Sequence, residues 1–218
     1  MPIAKEGLRE IALSTLVLGG LAAGAALIHW ALAIPFVVLW CWVLSFFRDP
    51  VRMGDYREGD LCSPADGTVT EITELEQYEG LNGPVVRIGI FLSLFNVHVN
   101  RSPCAGTVRT ITHKPGVYLD ARHPDSGTRN ESNTLVIDPD EPLAGPIEVR
   151  QVAGLLARRI ICHAKPGDHF VIGYRFGMIK FGSRTELVIP RLEGTDVLVH
   201  VGDKVKAGIT ILARQGVS

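Results

Sequence analysis

Hydrophobic and polar positions divide this chain sharply in two. From Ile11 to Phe47, 37 residues pass without a single Asp, Glu, Lys or Arg. From Arg48 onward, short runs rich in Val and Ile alternate with Gly, Pro, Asn and Asp. One helix over the apolar run would be about 55 Å long, against a hydrocarbon core of about 30 Å. Two passes fit better, over 11–28 and 31–47, turning near His29, Trp30 and Pro35. Lys5 and Arg9 flank one end and Arg48 and Arg52 the other, so the positive-inside bias puts both ends in the cytoplasm. Gly20 and Gly24 stand at the spacing that lets helices approach closely, which suits a hairpin. The run is too long for a signal peptide and has no small-residue cleavage site before Arg48. The pattern predicts a membrane-anchoring hairpin, transmembrane or re-entrant, over residues 1–47.

Residues 48–218 read as β structure. Segments 85–94, 107–112, 133–138, 147–152, 160–163, 170–173, 178–181, 186–189 and 197–201 have strand composition and are bounded by turn residues. Helical turns are expected only around 154–159 and 94–98. Ser63-Pro64-Ala65-Asp66-Gly67 is a tight turn feeding a strand, and Gly167-Asp168 and Gly202-Asp203 mark two more. These Gly-Asp turns resemble those of biotinyl and lipoyl domains. The expected fold is therefore mainly β, a barrel-sandwich (biotinyl/lipoyl-like) domain behind the N-terminal hairpin. Lys204 and Lys206 flank a strand-entry turn rather than a hairpin tip, which argues against a modified carrier lysine.

Charge and cysteine content narrow the function. The formal net charge of −1 gives no reason to expect a nucleic-acid partner. Cys41, Cys62, Cys104 and Cys162 form no CxxC pair and no metal-ligand spacing, so reduced thiols and no metal site are expected.

The chemistry centres on Gly182-Ser183. A serine after glycine can attack the preceding carbonyl, because glycine reaches backbone conformations that leave the carbonyl open. The resulting ester can eliminate, and the dehydroalanine left behind hydrolyses to a pyruvoyl group. A neutral serine hydroxyl needs a base within hydrogen-bond reach, usually a histidine held in one tautomer. His98 lies in the apolar run Phe95-Asn96-Val97-His98-Val99, where a histidine is unexpected, and Asp66 is a candidate orienting carboxylate. Most Gly-Ser pairs are ordinary turns, most lone histidines on apolar faces are hydrogen-bonded core residues, and a Pro-Ala-Asp-Gly aspartate is by default a turn residue.

Taken together, several stretches carry a family resemblance. They are Phe46-Phe47-Arg48-Asp49-Pro50, Ser63-Pro64-Ala65-Asp66-Gly67, Phe95-Asn96-Val97-His98-Val99-Asn100-Arg101-Ser102-Pro103 and Arg129-Asn130-Glu131-Ser132-Asn133-Thr134. A longer one runs from Gln151-Val152-Ala153-Gly154 through Gly167-Asp168 to Phe176-Gly177-Met178-Ile179-Lys180-Phe181-Gly182-Ser183-Arg184. In this order they resemble the phosphatidylserine decarboxylase proenzymes of the short bacterial and archaeal type. The resemblance implies a zymogen cut autocatalytically between Gly182 and Ser183 into 1–182 and 183–218, which stay together as a heterodimer. It implies an Asp66–His98–Ser183 triad for that cut and a covalent pyruvoyl cofactor made from Ser183. It further implies conversion of phosphatidylserine to phosphatidylethanolamine at the inner membrane, with the catalytic domain in the cytoplasm. Long relatives carry a second histidine three residues before the one matching His98. Here that position is Phe95, which leaves the later protonation to His98 or to water. Arg184 is a candidate partner for a substrate carboxylate or phosphate, and Arg101, Lys114, Arg158 and Arg159 are further cations for the phosphodiester. Two alternatives stand beside this reading: a non-catalytic membrane-anchored barrel-sandwich scaffold, and a related decarboxylase for another amino-acid headgroup.

Overall fold

Leu8–Ile28 forms one continuous helix, α1, in a stretch that holds no proline. It stops where His29 turns extended and its ring Nδ1 accepts the Ala31 N–H at 3.3 Å, starting the short 3-10 turn Trp30–Ala33. Pro35 then sits in the first turn of α2, Ile34–Phe46, where its fixed φ suits a helix start. Trp40 Nε1 donates to Thr15 Oγ1 at 2.8 Å, tying the two arms midway. Thr15, Leu18, Gly19 and Ala22 of α1 face Phe36, Val37 and Trp40 of α2. Gly20 and Gly24, expected to bring the helices close, are not among these facing residues, and a methyl at Gly19, Gly20 or Gly24 would meet no atom within 4 Å. The computed structural model describes residues 2–121, 123, 125–155, 159–180 and 182–216, and the chain divides into two compact units, Met1–Val51 and Arg52–Ser218. At 21 residues α1 is about 32 Å long, enough to cross a bilayer. At 13 residues α2 reaches only about 20 Å and falls short on its own.

The second unit is built of strands: β1 (Asp60–Cys62), β2 (Gly67–Tyr78), β3 (Gly83–Leu92), β4 (Val99–Arg101), β5 (Gly106–Lys114), β6 (Ser132–Pro139) and β7 (Ile147–Val152). There follow β8 (Ile160–Cys162), β9 (His169–Phe170), β10 (Arg175–Ile179), β11 (Ser183–Pro190), β12 (Thr195–Val197), β13 (Lys204–Val205) and β14 (Ile211–Gln215). An eight-stranded sheet in the order β13-β2-β3-β11-β7-β6-β5-β9 curls into a half-barrel, and two three-stranded sheets, β1-β14-β12 and β4-β10-β8, accompany it. The domain is mainly β, as its composition predicts. The Val/Ile segments all fall on or beside strands, although 170–173 and 197–201 leave the sheet early. The strand expected after the 63–67 turn is β2, whose 12-residue length the pattern does not signal because Glu and Thr dilute its alternation. Residues 94–98 form a turn rather than a helix, and α3 (Ser126–Arg129) is a helical turn that the pattern does not signal. The helical turn expected at 154–159 and the end of the strand expected at 178–181 include residues outside the described ones.

Strand alternation gives the large sheet two buried faces of opposite character. Inward, Ile88 of β3, Leu187 of β11, Val149 of β7 and Leu135 of β6 stand in one lateral row of the hydrophobic core. Outward, β11 presents Arg184 and Glu186. Arg184 Nε donates to Glu186 Oε1 at 2.8 Å and its Nη2 pairs with Glu71. Arg87 bonds Glu71 at 2.6 Å, Arg150 lies 3.6 Å from Glu186, and Tyr78 Oη donates to Glu148 at 2.6 Å. Burial pushes the Glu148 carboxyl up. Burial also opposes ionisation of Glu71, but hydrogen bonds from Arg184, Thr73 and Arg87 prevail and hold its carboxyl at about 2.

Because the folded-state value of Glu71 is depressed from an ordinary 4.5 to about 2, its contribution to stability is present above about pH 4.5 and lost as pH falls towards 2. In urea titrations across that window, Glu71→Gln is expected to flatten the fall in unfolding free energy. An unchanged slope would show that this ion pair does not hold the outer face.

Candidate active site at the start of strand β11

One lateral row of the inner face is polar. Asn133 of β6, Gln151 of β7 and Thr185 of β11 are in register, next to the apolar row of Leu135, Val149 and Leu187. All three are buried, and they are joined rather than merely adjacent. Asn133 Nδ2 donates to Gln151 Oε1 at 3.0 Å, and Gln151 Nε2 donates to Asn100 Oδ1 at 2.9 Å. Asn100 Nδ2 in turn donates to Thr185 Oγ1 at 3.1 Å and to the Pro64 carbonyl at 3.3 Å. This relay ties the turn at 63–67, the segment around His98 and the start of β11 into one block.

Ser183 is the first residue of β11, paired with Leu92 of β3, and points inward two residues before Thr185. It is fully buried, and its Oγ has no hydrogen-bond partner among the described residues. A buried orphan hydroxyl costs about 1–3 kcal/mol, so it calls for a reason. Gly182 enters the strand at φ +66°, in the left-handed region that other residues adopt reluctantly.

His98 reaches this point because β4 pairs with β10. Val99 stands opposite Met178, and Ile179 N donates to the His98 carbonyl at 3.2 Å. The ring is fully buried. Its Nδ1 lies 3.0 Å from the Asn96 carbonyl, which only accepts, so Nδ1 carries the proton. Nε2 therefore presents its lone pair, and the Gly182 N–H donates to it at 3.4 Å. The ring is thus oriented by a backbone carbonyl and bonded to the amide of the residue before the serine.

The structure bonds His98 to Gly182, leaves the Ser183 Oγ without a hydrogen bond to the histidine, and places Asp66 on a different set of partners. Both Asp66 oxygens pair with the Arg52 guanidinium, one at 2.8 Å, and the Ala207 N–H donates to Oδ1 at 2.8 Å. Asp66 is connected to the histidine segment through its own turn, since Pro64 accepts from both Arg101 N and Asn100 Nδ2. Arg52, read from sequence as a membrane-flanking charge, is instead committed to this buried pair. Arg184 points to the sheet face opposite Ser183 and is held by Glu71 and Glu186. Among the other cations, Arg101 donates to the Gly173 carbonyl, Lys114 to the Thr128 carbonyl, and Arg159 is exposed. Arg158 lies outside the described residues. Phe95, at the position of the second histidine in long relatives, is 74% exposed.

Sequence reasoning singled out neither Arg52 nor the amide relay as part of the site. Asn100, Asn133 and Gln151 lie inside the motif stretches, and their signal was available: three amides on the core-facing phase of otherwise apolar strands. Arg52 has no such signal, because its partner is set by how residues 52 and 66 meet in space.

A serine buried without a side-chain partner among the described residues, behind a left-handed glycine whose N–H is bonded to a buried histidine, defines the class: a β-rich chain with an unsatisfied serine heading a strand. The family model described as phosphatidylserine decarboxylase matches residues 41–213. A phosphatidylserine decarboxylase proenzyme of Rhodopirellula baltica is 43% identical over 214 residues, covering 98% of this chain and 88% of the relative. The proenzyme of Trichlorobacter lovleyi is 44% identical over 218 residues, with 98% and 97% covered, and that of Magnetococcus marinus 38% identical over 214, with 97% and 94% covered. This chain belongs to the phosphatidylserine decarboxylase family.

Arg52 and Asp66 have side chains only 8% and 9% exposed, so Arg52→Ala leaves a buried carboxylate unpaired. We expect a loss of about 3 kcal/mol of stability, measured by chemical denaturation in the Ser183→Ala background so that cutting does not intervene. Arg52→Lys should recover part of it. A loss below about 1 kcal/mol would show that water replaces the guanidinium.

Proposed function

We propose that this chain is a zymogen that cuts itself at Gly182-Ser183 and then, carrying a pyruvoyl group at residue 183, decarboxylates phosphatidylserine to phosphatidylethanolamine. The single observation that carries the reading is the orphaned, fully buried Oγ of Ser183 behind Gly182 at φ +66°. In the cutting step, Oγ attacks the Gly182 carbonyl carbon, and its proton passes to His98 Nε2. The Gly182–Ser183 C–N bond breaks, the proton goes to the departing amine, and an ester replaces the amide. Loss of the Ser183 α-proton then expels Gly182 as a carboxylate, and water releases ammonia from the dehydroalanine. Histidine is the suitable base because its Nδ1 proton is already anchored on Asn96, and the long 3.4 Å bond from the Gly182 N–H to Nε2 must give way for Nε2 to accept the Oγ proton. Asp66 is the third member of the proposed triad. Its contribution runs through the 63–67 turn, whose Pro64 carbonyl accepts from Asn100, two residues from His98.

The residues fit the proposed cofactor, since position 183 is a dry socket at a strand start with no side-chain bond to break. The group supplies a conjugated carbonyl that takes up the electron pair left as carbon dioxide departs. His98, bonded one residue away at the Gly182 N–H, is the side chain proposed to hold or return a proton there, with water as the alternative donor. Strand pairing supports a heterodimer after cutting: β11 is hydrogen-bonded between β3 and β7, β13 to β2 and β14 to β1. The Gly202-Asp203 turn leading into β13 supports the barrel-sandwich likeness. An apolar α1, flanked by Lys5 and Arg9, supports an inner-membrane anchor with the catalytic unit in the cytoplasm.

Intact mass of the purified protein beside Ser183→Ala tests the reading. The wild type should give two fragments, the smaller lighter than a serine-started chain by one ammonia, while the variant stays whole and inactive. His98→Ala or Asp66→Ala should block or slow cutting; normal processing in either removes that residue from the proposal. The cut enzyme should release carbon dioxide from phosphatidylserine vesicles and not from free serine. A single uncut wild-type mass would favour a scaffold, and activity on a different headgroup would change the substrate alone.

A further inference from the structure

The reacting carbonyl has a floor. A methyl group placed on Gly154 would stand 2.1 Å from the Gly182 carbonyl oxygen, 3.1 Å from its carbon and 3.3 Å from the Ala121 methyl. Gly154, just beyond β7, is therefore the floor against which the scissile oxygen rests, and the Ala121 methyl borders the space that a side chain on Gly154 would fill. The backbone on either side of that floor is held by one side chain. Asn130 is fully buried, accepts the Leu119 N–H at 2.9 Å, and donates to the Leu119 carbonyl at 2.9 Å and to the Ala153 carbonyl at 2.7 Å. Backbone bonds reinforce it: Ala153 N to Glu131 O at 2.9 Å, Glu131 N to Val117 O at 3.1 Å, and Val117 N to Arg129 O at 3.0 Å.

We infer that Gly154 and Asn130 are positioning residues for self-cleavage: Gly154 leaves the space the Gly182 oxygen needs, and Asn130 fixes the backbone that bounds it. The inference rests on the self-cleavage reading above and adds two residues to it. As Oγ attacks, the carbonyl carbon becomes tetrahedral and its oxygen takes on negative charge, so the oxygen must stay seated while its bond lengthens. A side chain at 154 would displace the peptide by about 1 Å, and a misplacement of that size costs on the order of 100-fold in rate. Asn130→Asp keeps the size and the acceptor but loses both Nδ2–H donors, turning a carboxylate oxygen towards the Leu119 and Ala153 carbonyls.

The test follows conversion of newly made full-length chain, synthesised without cells onto phospholipid vesicles, for wild type, Ser183→Ala, Gly154→Ala and Asn130→Asp. Gly154→Ala should be cut at least about 100-fold more slowly than wild type and Asn130→Asp about tenfold more slowly. Gly154→Ala should melt within a few degrees of uncut Ser183→Ala, whereas Asn130→Asp, which buries a carboxylate against two carbonyls, should melt lower, so its cutting is read below its own melting temperature. Hydroxylamine, which attacks the Gly182 ester and releases a hydroxamate, should speed cutting of wild type and leave folded Gly154→Ala about 100-fold slower, because the ester forms slowly there. A purely structural role for Gly154 would lower the melting temperature without slowing the hydroxylamine reaction of the folded fraction. Folded Gly154→Ala cut at the wild-type rate overturns the inference. Should that variant fail to fold, Asn130→Asp decides: slow cutting in a folded chain supports the seat, and normal cutting overturns it. An uncut wild type removes the self-cleavage reading itself, and the seat with it.

Discussion

A serine hydroxyl carried into a hydrophobic sheet interior sets the terms for this molecule. The alternation of β11 points Ser183, Thr185, Leu187 and Ile189 to the same side, so the residue that heads the strand is fully buried. The neighbouring polar positions are satisfied by one another. Thr185, Asn100, Gln151 and Asn133 close a chain of hydrogen bonds across four strands, and Ser183 is left outside it. A satisfied network rigidifies its members, while an orphan next to it stores free energy. The site concentrates that imbalance on one atom, with a left-handed glycine immediately before it.

Two other parts of the fold serve this placement. The β4–β10 pairing sets His98 against the crossing into β11, so the histidine's position follows from the register of Val99 and Met178. The outer face does the opposite job. Arg87, Arg150 and Arg184 answer Glu71 and Glu186, and this cluster anchors the outward side of the same strand. Buried ion pairs add little net stability, but an unpaired one is costly, so the cluster discourages any slip of β11 by one residue. Such a slip would turn Arg184 into the apolar core and Ser183 out of the site.

Several elements were legible in the chain because a local pattern specifies them. The charge-free run 11–47 can be little other than apolar helices, and His29 and Pro35 mark its turn. Strand β7 was legible to the residue, since β-branched positions and flanking turn residues bound it on both sides. Elsewhere the pattern misled. Gly20 and Gly24 have the spacing of a close helix contact, yet spacing gives a period and not the direction of a neighbour. Strand β2 was signalled only at its start, by the turn at 63–67, because its Glu and Thr dilute the alternation beyond it and its long pairing with β3 is a non-local fact.

The same division runs through the site. Residue types and their order named Ser183, His98 and Asp66, because nucleophile, base and carboxylate are chemical properties carried by single side chains. Their partners are properties of distance. That Asn96 orients the histidine, that Arg52 and Ala207 hold Asp66, and that Arg184 faces away from Ser183 all depend on strand register and sheet face. So does the seat beneath Gly182, made of residues 28 and 61 positions earlier in the chain. The sequence by itself determined the hydrophobic segregation, the β character and the reactive groups, since these are written in local composition and period. Tertiary structure alone decided which groups meet, because pairing across a sheet joins residues whose separation along the chain carries no signal of their contact.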